Sequence, residues 1–96
     1  ADIDNGKRLS TYTIAGPRGS GVVQLNGAAA HLVSVDDLVI IMAYCQVPES
    51  QVRGWKPAVA FVDEHNRIIE TGDSAGRVPE ESERARELGL KSAGKP

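Results

Sequence analysis

The sequence predicts an all-β fold, a small barrel, on three observations. β-branched and aromatic residues gather in short runs, Gly, Pro, Asn and Asp separate those runs at close intervals, and no run in the body of the chain keeps a strong helical period. At 96 residues the chain is expected to be one domain at most, and 41% hydrophobic residues allow only a small core. A domain of this size buries modestly more than half of its unfolded surface, so oligomerisation would add stability.

The elements follow in chain order. "NGKRLSTYTI" (residues 5–14) opens on an Asn-Gly turn and continues as a strand rich in Thr, Tyr and Ile. "AGPRGSG" (15–21) is a loop or hairpin tip, because Gly and Pro punctuate it. "VVQL" (22–25) is the next strand. "NGAAAH" (26–31) begins with a second Asn-Gly turn, and its alanines favour helix but are too few to build one. "HLVSVDD" (31–37) is a connection with Asp36 and Asp37 at a turn. "LVIIMAY" (38–44) is nearly continuous apolar sequence without helical period, which suits a strand buried on both faces, and Cys45 behind it reads as core. "PESQVRGW" (48–55) has room for one helical turn ended by Gly54. "PAVAFVD" (57–63) is a strand, "EHN" (64–66) a turn and "RIIE" (67–70) a short final strand.

The domain organisation expected is therefore a barrel portion over residues 1–71 and a charged tail over 72–96. Pro79 suits the first position of a helix carrying "EESERARELGL", but few apolar residues back it, so a frayed helix or disorder is expected. Glu80, Glu81, Glu83, Arg84 and Arg86 read as a solvated face with paired charges.

Composition narrows the function. A net charge of −2 and a pI of about 5.6 count against a nucleic-acid partner. The longest apolar run has about 11 residues, where a spanning helix needs roughly 20, so no membrane is expected. The opening "ADIDNGKR" is acidic and polar and lacks a signal-peptide pattern. A single cysteine forms no internal disulfide, which fits a reducing, cytoplasmic setting.

Two stretches can carry chemistry. On a regular strand Arg8, Ser10 and Tyr12 share one face and Thr11 takes the other. A cation beside a phenol can hold a carboxylate and supply a proton; the plain alternative is a solvated strand face. "NGAAA" presents small side chains that let a ligand approach the main chain, where successive N–H groups can cradle an anion. Its plain alternative is a turn packed against another backbone. His31 can serve as a ligand or base, though a lone histidine in a strand-rich segment is ordinarily packed and hydrogen-bonded. No second His or Cys lies at metal-ligand spacing, so no metal is expected. Gly19–Ser20 has the residue types of an N→O acyl shift, but such pairs are common in loops.

"NGKRLSTYTI", "RGSG", "NGAAAHL", "DDLVIIMAY" and "WKPAVAFVDEHNRI", in this order over about residues 2–70, resemble the pyruvoyl-dependent aspartate 1-decarboxylase family. The resemblance implies a double-ψ β-barrel, here incomplete at its N-terminus, assembled as a homotetramer with active sites between subunits. It implies conversion of L-aspartate to β-alanine and CO₂ through a Schiff base with a pyruvoyl group, in the supply of pantothenate and coenzyme A, without PLP or metal. By resemblance Arg8 binds a substrate carboxylate and Thr11 contacts substrate and helps position the cofactor region. Tyr12 donates a proton, Asn26 orients the site, and Gly27, Ala28 and Ala29 line the substrate with backbone groups.

The family makes its pyruvoyl group from a Gly-Ser bond of its own zymogen by autocatalytic cleavage. That bond lies upstream of the "NGKR" turn, with a Lys and a His used in the site. Gly19–Ser20 aligns instead with the downstream loop. The pyruvoyl serine is thus expected before Ala1, on a processed N-terminal β chain or elsewhere, and the 96-residue chain alone is expected to be inactive. Two other readings stay open: an inactive paralogue that binds a dicarboxylate or assembles with an active partner, and an unrelated small β-barrel interaction domain.

Overall fold

The computed structural model describes residues 1–73. The segment expected to be a charged tail, with Pro79 and the Glu80–Arg86 charges, lies outside the described residues apart from its first two positions. The chain divides into two compact units, Ala1–Cys45 and Gln46–Pro96.

The first unit is organised by a turn at its start. Asp2 N–H donates to the Lys7 carbonyl at 2.8 Å and Gly6 N–H to the Asp2 carbonyl at 2.9 Å. The reversal needs a left-handed residue, and Gly6 supplies it at φ +74°, as the Asn-Gly pair predicts. Asp2 then bridges Val39 in antiparallel fashion. Ile3 N–H donates to the Leu38 carbonyl and Ile40 N–H to the Ala1 carbonyl, both at 2.8 Å. The loop at Pro17–Ser20 closes through Ser20 N–H to the Pro17 carbonyl at 3.2 Å, with Gly19 at φ +79°. Asp37 N–H donates to the Ser34 carbonyl at 3.1 Å, and Asp36 takes φ +73°, so the expected Asp36–Asp37 turn is present.

Several expectations for this unit are overturned. Residues 7–14 and 22–25 form no strand, and the 38–44 run joins a partner strand only through the Val39 bridge. That run is not buried on both faces: Ile41 is 72% exposed and Tyr44 87%. Cys45 is exposed and free rather than core. The reason is common to all of these. An apolar strand is buried only when other elements cover it, and among the described residues Asp2 alone is buried. The alanine run also winds, contrary to expectation, as a 3₁₀ helix over Gly27–Leu32. Tighter i→i+3 bonding lets a short stretch form turns where an α-helix is too costly to nucleate.

The second unit opens with the expected helical turn, α1 (Glu49–Val52), introduced by Pro48 and followed by a turn at Arg53–Gly54. The two expected strands are present as β1 (Val59–Val62) and β2 (Ile68–Gly72), paired antiparallel. β2 starts one residue later and runs two residues further than "RIIE". Partners are Val59 with Gly72, Ala60 with Thr71, Phe61 with Glu70 and Val62 with Ile68. The register shifts between Phe61 and Val62, a bulge that leaves Ile69 without an opposite residue. Val59 and Phe61 are half-buried while Ala60 and Val62 are exposed, the alternation of a one-sided strand.

The connecting turn is held by Asp63. Its Oδ1 accepts from His65 N–H at 2.8 Å and Arg67 N–H at 3.0 Å, and Asn66 takes the left-handed position at φ +59°. These bonds from the Arg67 and His65 backbone hold the Asp63 carboxyl below its ordinary value.

Among the described residues the regular elements are two strands and two short helical turns, consistent with an all-β class, and no closed barrel is present. Among them no helix is long and apolar enough to cross a membrane.

Candidate functional site

The candidate residues sit on two pieces of the first unit. Arg8, Thr11 and Tyr12 follow the Asp2–Lys7 turn, and all three are exposed, Tyr12 at 79%. Asn26 precedes the 3₁₀ helix, and Gly27, Ala28 and Ala29 form its first turn.

Asn5 joins the two pieces. Its side-chain Nδ2 donates to the Leu32 carbonyl, the last residue of the 3₁₀ helix, at 2.8 Å. Its Oδ1 accepts from Lys7 N–H, also at 2.8 Å. One amide thus fixes the backbone leading into Arg8 and grips the end of the helix that begins at Gly27. The sequence shows Asn5 only as half of a turn pair; its second role depends on a carbonyl 27 positions away.

The helix is short of side-chain atoms by design of its sequence. Ala28 is exposed and Ala29 half-buried. Gly27 takes φ +64°, and a Cβ there would meet no heavy atom within 4 Å. Glycine is required here by the backbone angle, not by a neighbouring chain segment pressed against it. The alternative of a turn packed against another backbone therefore finds no support at Gly27. Asn26 does not cap the helix with its side chain; its Oδ1 accepts from Gln24 Nε2 at 2.8 Å.

His31 is exposed in the last turn of this helix, so the packed histidine expected from the sequence is corrected. Ser20 Oγ accepts from Val22 N–H at 3.3 Å, placing that hydroxyl in a local turn.

The arrangement offers a cation, a phenol and a hydroxyl on one segment, and accessible main chain on another. Those groups suit recognition of a small anionic ligand by charge and by backbone hydrogen bonds.

The family described as Aspartate decarboxylase matches residues 1–69. A curated relative, Aspartate 1-decarboxylase of Carboxydothermus hydrogenoformans, is 56% identical over 68 residues, which covers 71% of this chain and 54% of the relative. The chain thus spans about half the length of that curated relative.

Proposed function

Because the chain belongs to the aspartate decarboxylase family, we propose that it forms part of an aspartate 1-decarboxylase, which converts L-aspartate to β-alanine and CO₂. The observation that carries this reading is the Asn5 bridge, which ties the backbone entering Arg8–Tyr12 to the Gly27–Leu32 helix.

The reaction needs an electron sink, which a pyruvoyl carbonyl would supply as the α-carboxylate leaves. The residues present fit such a group in one respect: Arg8, Tyr12, Gly27 and Ala28 are exposed and open to a reacting centre, with Ala29 half-buried. Arg8 holds a substrate carboxylate through its planar guanidinium, a charge-assisted pairing worth about 1.5–3 kcal/mol. Thr11 contacts substrate from the same segment. Tyr12 Oη delivers a proton to the substrate α-carbon, replacing the bond lost to CO₂. A positioned general acid of this kind contributes about 10²–10⁴-fold. Asn26 orients the site, and Gly27, Ala28 and Ala29 offer main chain that larger side chains would cover.

The wider proposal is a cytoplasmic enzyme of pantothenate synthesis, with a double-ψ β-barrel fold and a homotetrameric assembly whose sites lie between subunits. The exposed apolar side chains of Ile40, Ile41, Met42 and Tyr44 support assembly, since a contiguous apolar stretch of this kind favours contact with another chain. A processed N-terminal chain is a further partner on this reading.

The test is turnover of L-aspartate by the full-length protein, followed as β-alanine and CO₂. Arg8→Ala is expected to raise KM by about ten- to a hundredfold. Aspartate binding without turnover would instead favour the inactive, dicarboxylate-binding paralogue.

A further inference from the structure

Three carboxylates that the sequence keeps apart meet at the start of the first unit. Asp2, Asp4 and Asp37 each bring an oxygen to within 4.8 Å of the other two. Asp2 and Asp4 come from the turn before Arg8, and Asp37 from the Ser34–Asp37 turn, carried there by the Asp2–Val39 bridge.

Backbone donors fix all three side chains. Asp2 Oδ1 accepts from Asp4 N–H at 2.8 Å and Asn5 N–H at 3.2 Å. Asp4 Oδ1 accepts from Leu38 N–H at 2.7 Å, and Asp37 Oδ2 from Ser34 N–H at 2.9 Å. The carboxylates cannot swing apart without losing these bonds.

Asp2 adds a second, separate observation. It is only 4% exposed, and its Oδ2 is enclosed with no hydrogen-bond partner. A buried carboxylate oxygen without a donor is costly, and two further acidic groups beside it add like-charge repulsion. A cation resolves both costs at once.

We propose that Asp2, Asp4 and Asp37 form a site for a hard divalent cation of calcium size. All ligands offered are carboxylate oxygens, the donor type that selects calcium or magnesium over zinc or copper. Oxygens bound to one calcium ion at about 2.3–2.6 Å lie no more than roughly 5 Å apart, a limit that this spacing meets. Magnesium demands shorter bonds and stricter octahedral geometry, which three backbone-anchored side chains from two turns suit less well. The ion would lock the turn that presents Arg8 against the Asp37 turn. The site is independent of the decarboxylase reading, since it uses none of the proposed substrate groups.

The experiment is calorimetric titration of the full-length protein with calcium chloride, and separately with magnesium chloride, beside thermal unfolding with and without each salt. One calcium ion per chain is expected, with a rise in Tm. Asp2→Asn keeps the acceptor for the Asp4 and Asn5 N–H groups and removes the charge, and it should weaken calcium at least about tenfold. Asp37→Asn, at a less buried position, should do the same and reads the site even if the Asp2 variant does not fold. Asp63→Asn, in the other unit, should leave calcium affinity unchanged. The proposal is overturned by absence of binding at millimolar calcium, by unchanged affinity in Asp37→Asn, or by tighter binding of magnesium.

Discussion

The β1–β2 hairpin and the Leu38–Tyr44 run are built from similar residues, yet only the hairpin forms a ladder. In the hairpin, Val62 meets Ile68 across a turn that Asp63 stabilises with its own side chain. In the apolar run, pairing consists of the Val39 bridge to Asp2, far back in the sequence. Closing a long loop costs more entropy than closing a short one, and a strand with a distant partner has no neighbouring turn to align it. The comparison teaches where each region draws its stability. The hairpin is aligned by its own turn, whereas the Leu38–Tyr44 run meets a distant segment; apolar side chains are exposed in both, among them Ile41 and Tyr44 in the run and Val62 and Ile68 in the hairpin.

The sharpest way to test that contrast is Tyr12→Phe in the full-length protein. The substitution keeps the ring and removes the proton at a position that is 79% exposed. The expected outcome is a fall in kcat of about 10²–10⁴-fold, with little change in Tm or in aspartate affinity. An unchanged kcat would reassign proton donation, and a large fall in Tm would mean that this segment is structural after all.

Gly27→Ala comes next. The residue has room for a methyl group but sits at φ +64°, so the expected cost is backbone strain of about 1–2 kcal/mol, read from urea midpoints. Gly16, which has the same open space and no positive φ, should accept alanine within about 0.5 kcal/mol. Equal effects at the two sites would remove the conformational explanation.

The smallest effect belongs to the hairpin turn. The Asp63 carboxyl is held below its ordinary value of 3.8, so the folded turn favours the ionised form. Its contribution is fully present above the unfolded value and is lost as pH falls through the lower folded one. Protection factors of the β1 and β2 amides, taken against the intrinsic exchange rate at each pH, should therefore fall at acid pH. Asp63→Asn, which keeps an acceptor and removes the charge, should abolish that dependence. A dependence that survives in the variant would assign it to another group.

Local signals carried much of this protein's description. Both Asn-Gly pairs place glycine at positive φ, the Asp36 turn and the Glu49–Val52 helical turn form as their residues suggest, and the hairpin appears with its turn at "EHN". Five motifs in order were enough to point to the family that the comparisons show. Each of these depends on residues within a few positions of one another, where backbone sterics and short-range hydrogen bonds decide the outcome.

Tertiary structure decided the rest. Whether the Leu38–Tyr44 run is covered, whether Cys45 and His31 face inward, and which carbonyl the Asn5 amide reaches all depend on partners remote in the sequence. The same holds for the meeting of Asp2 and Asp4 with Asp37, which no spacing rule links. Composition and periodicity state that a side chain is apolar or acidic. Burial, pairing and proximity are properties of two segments together, and only the folded backbone brings those segments into contact.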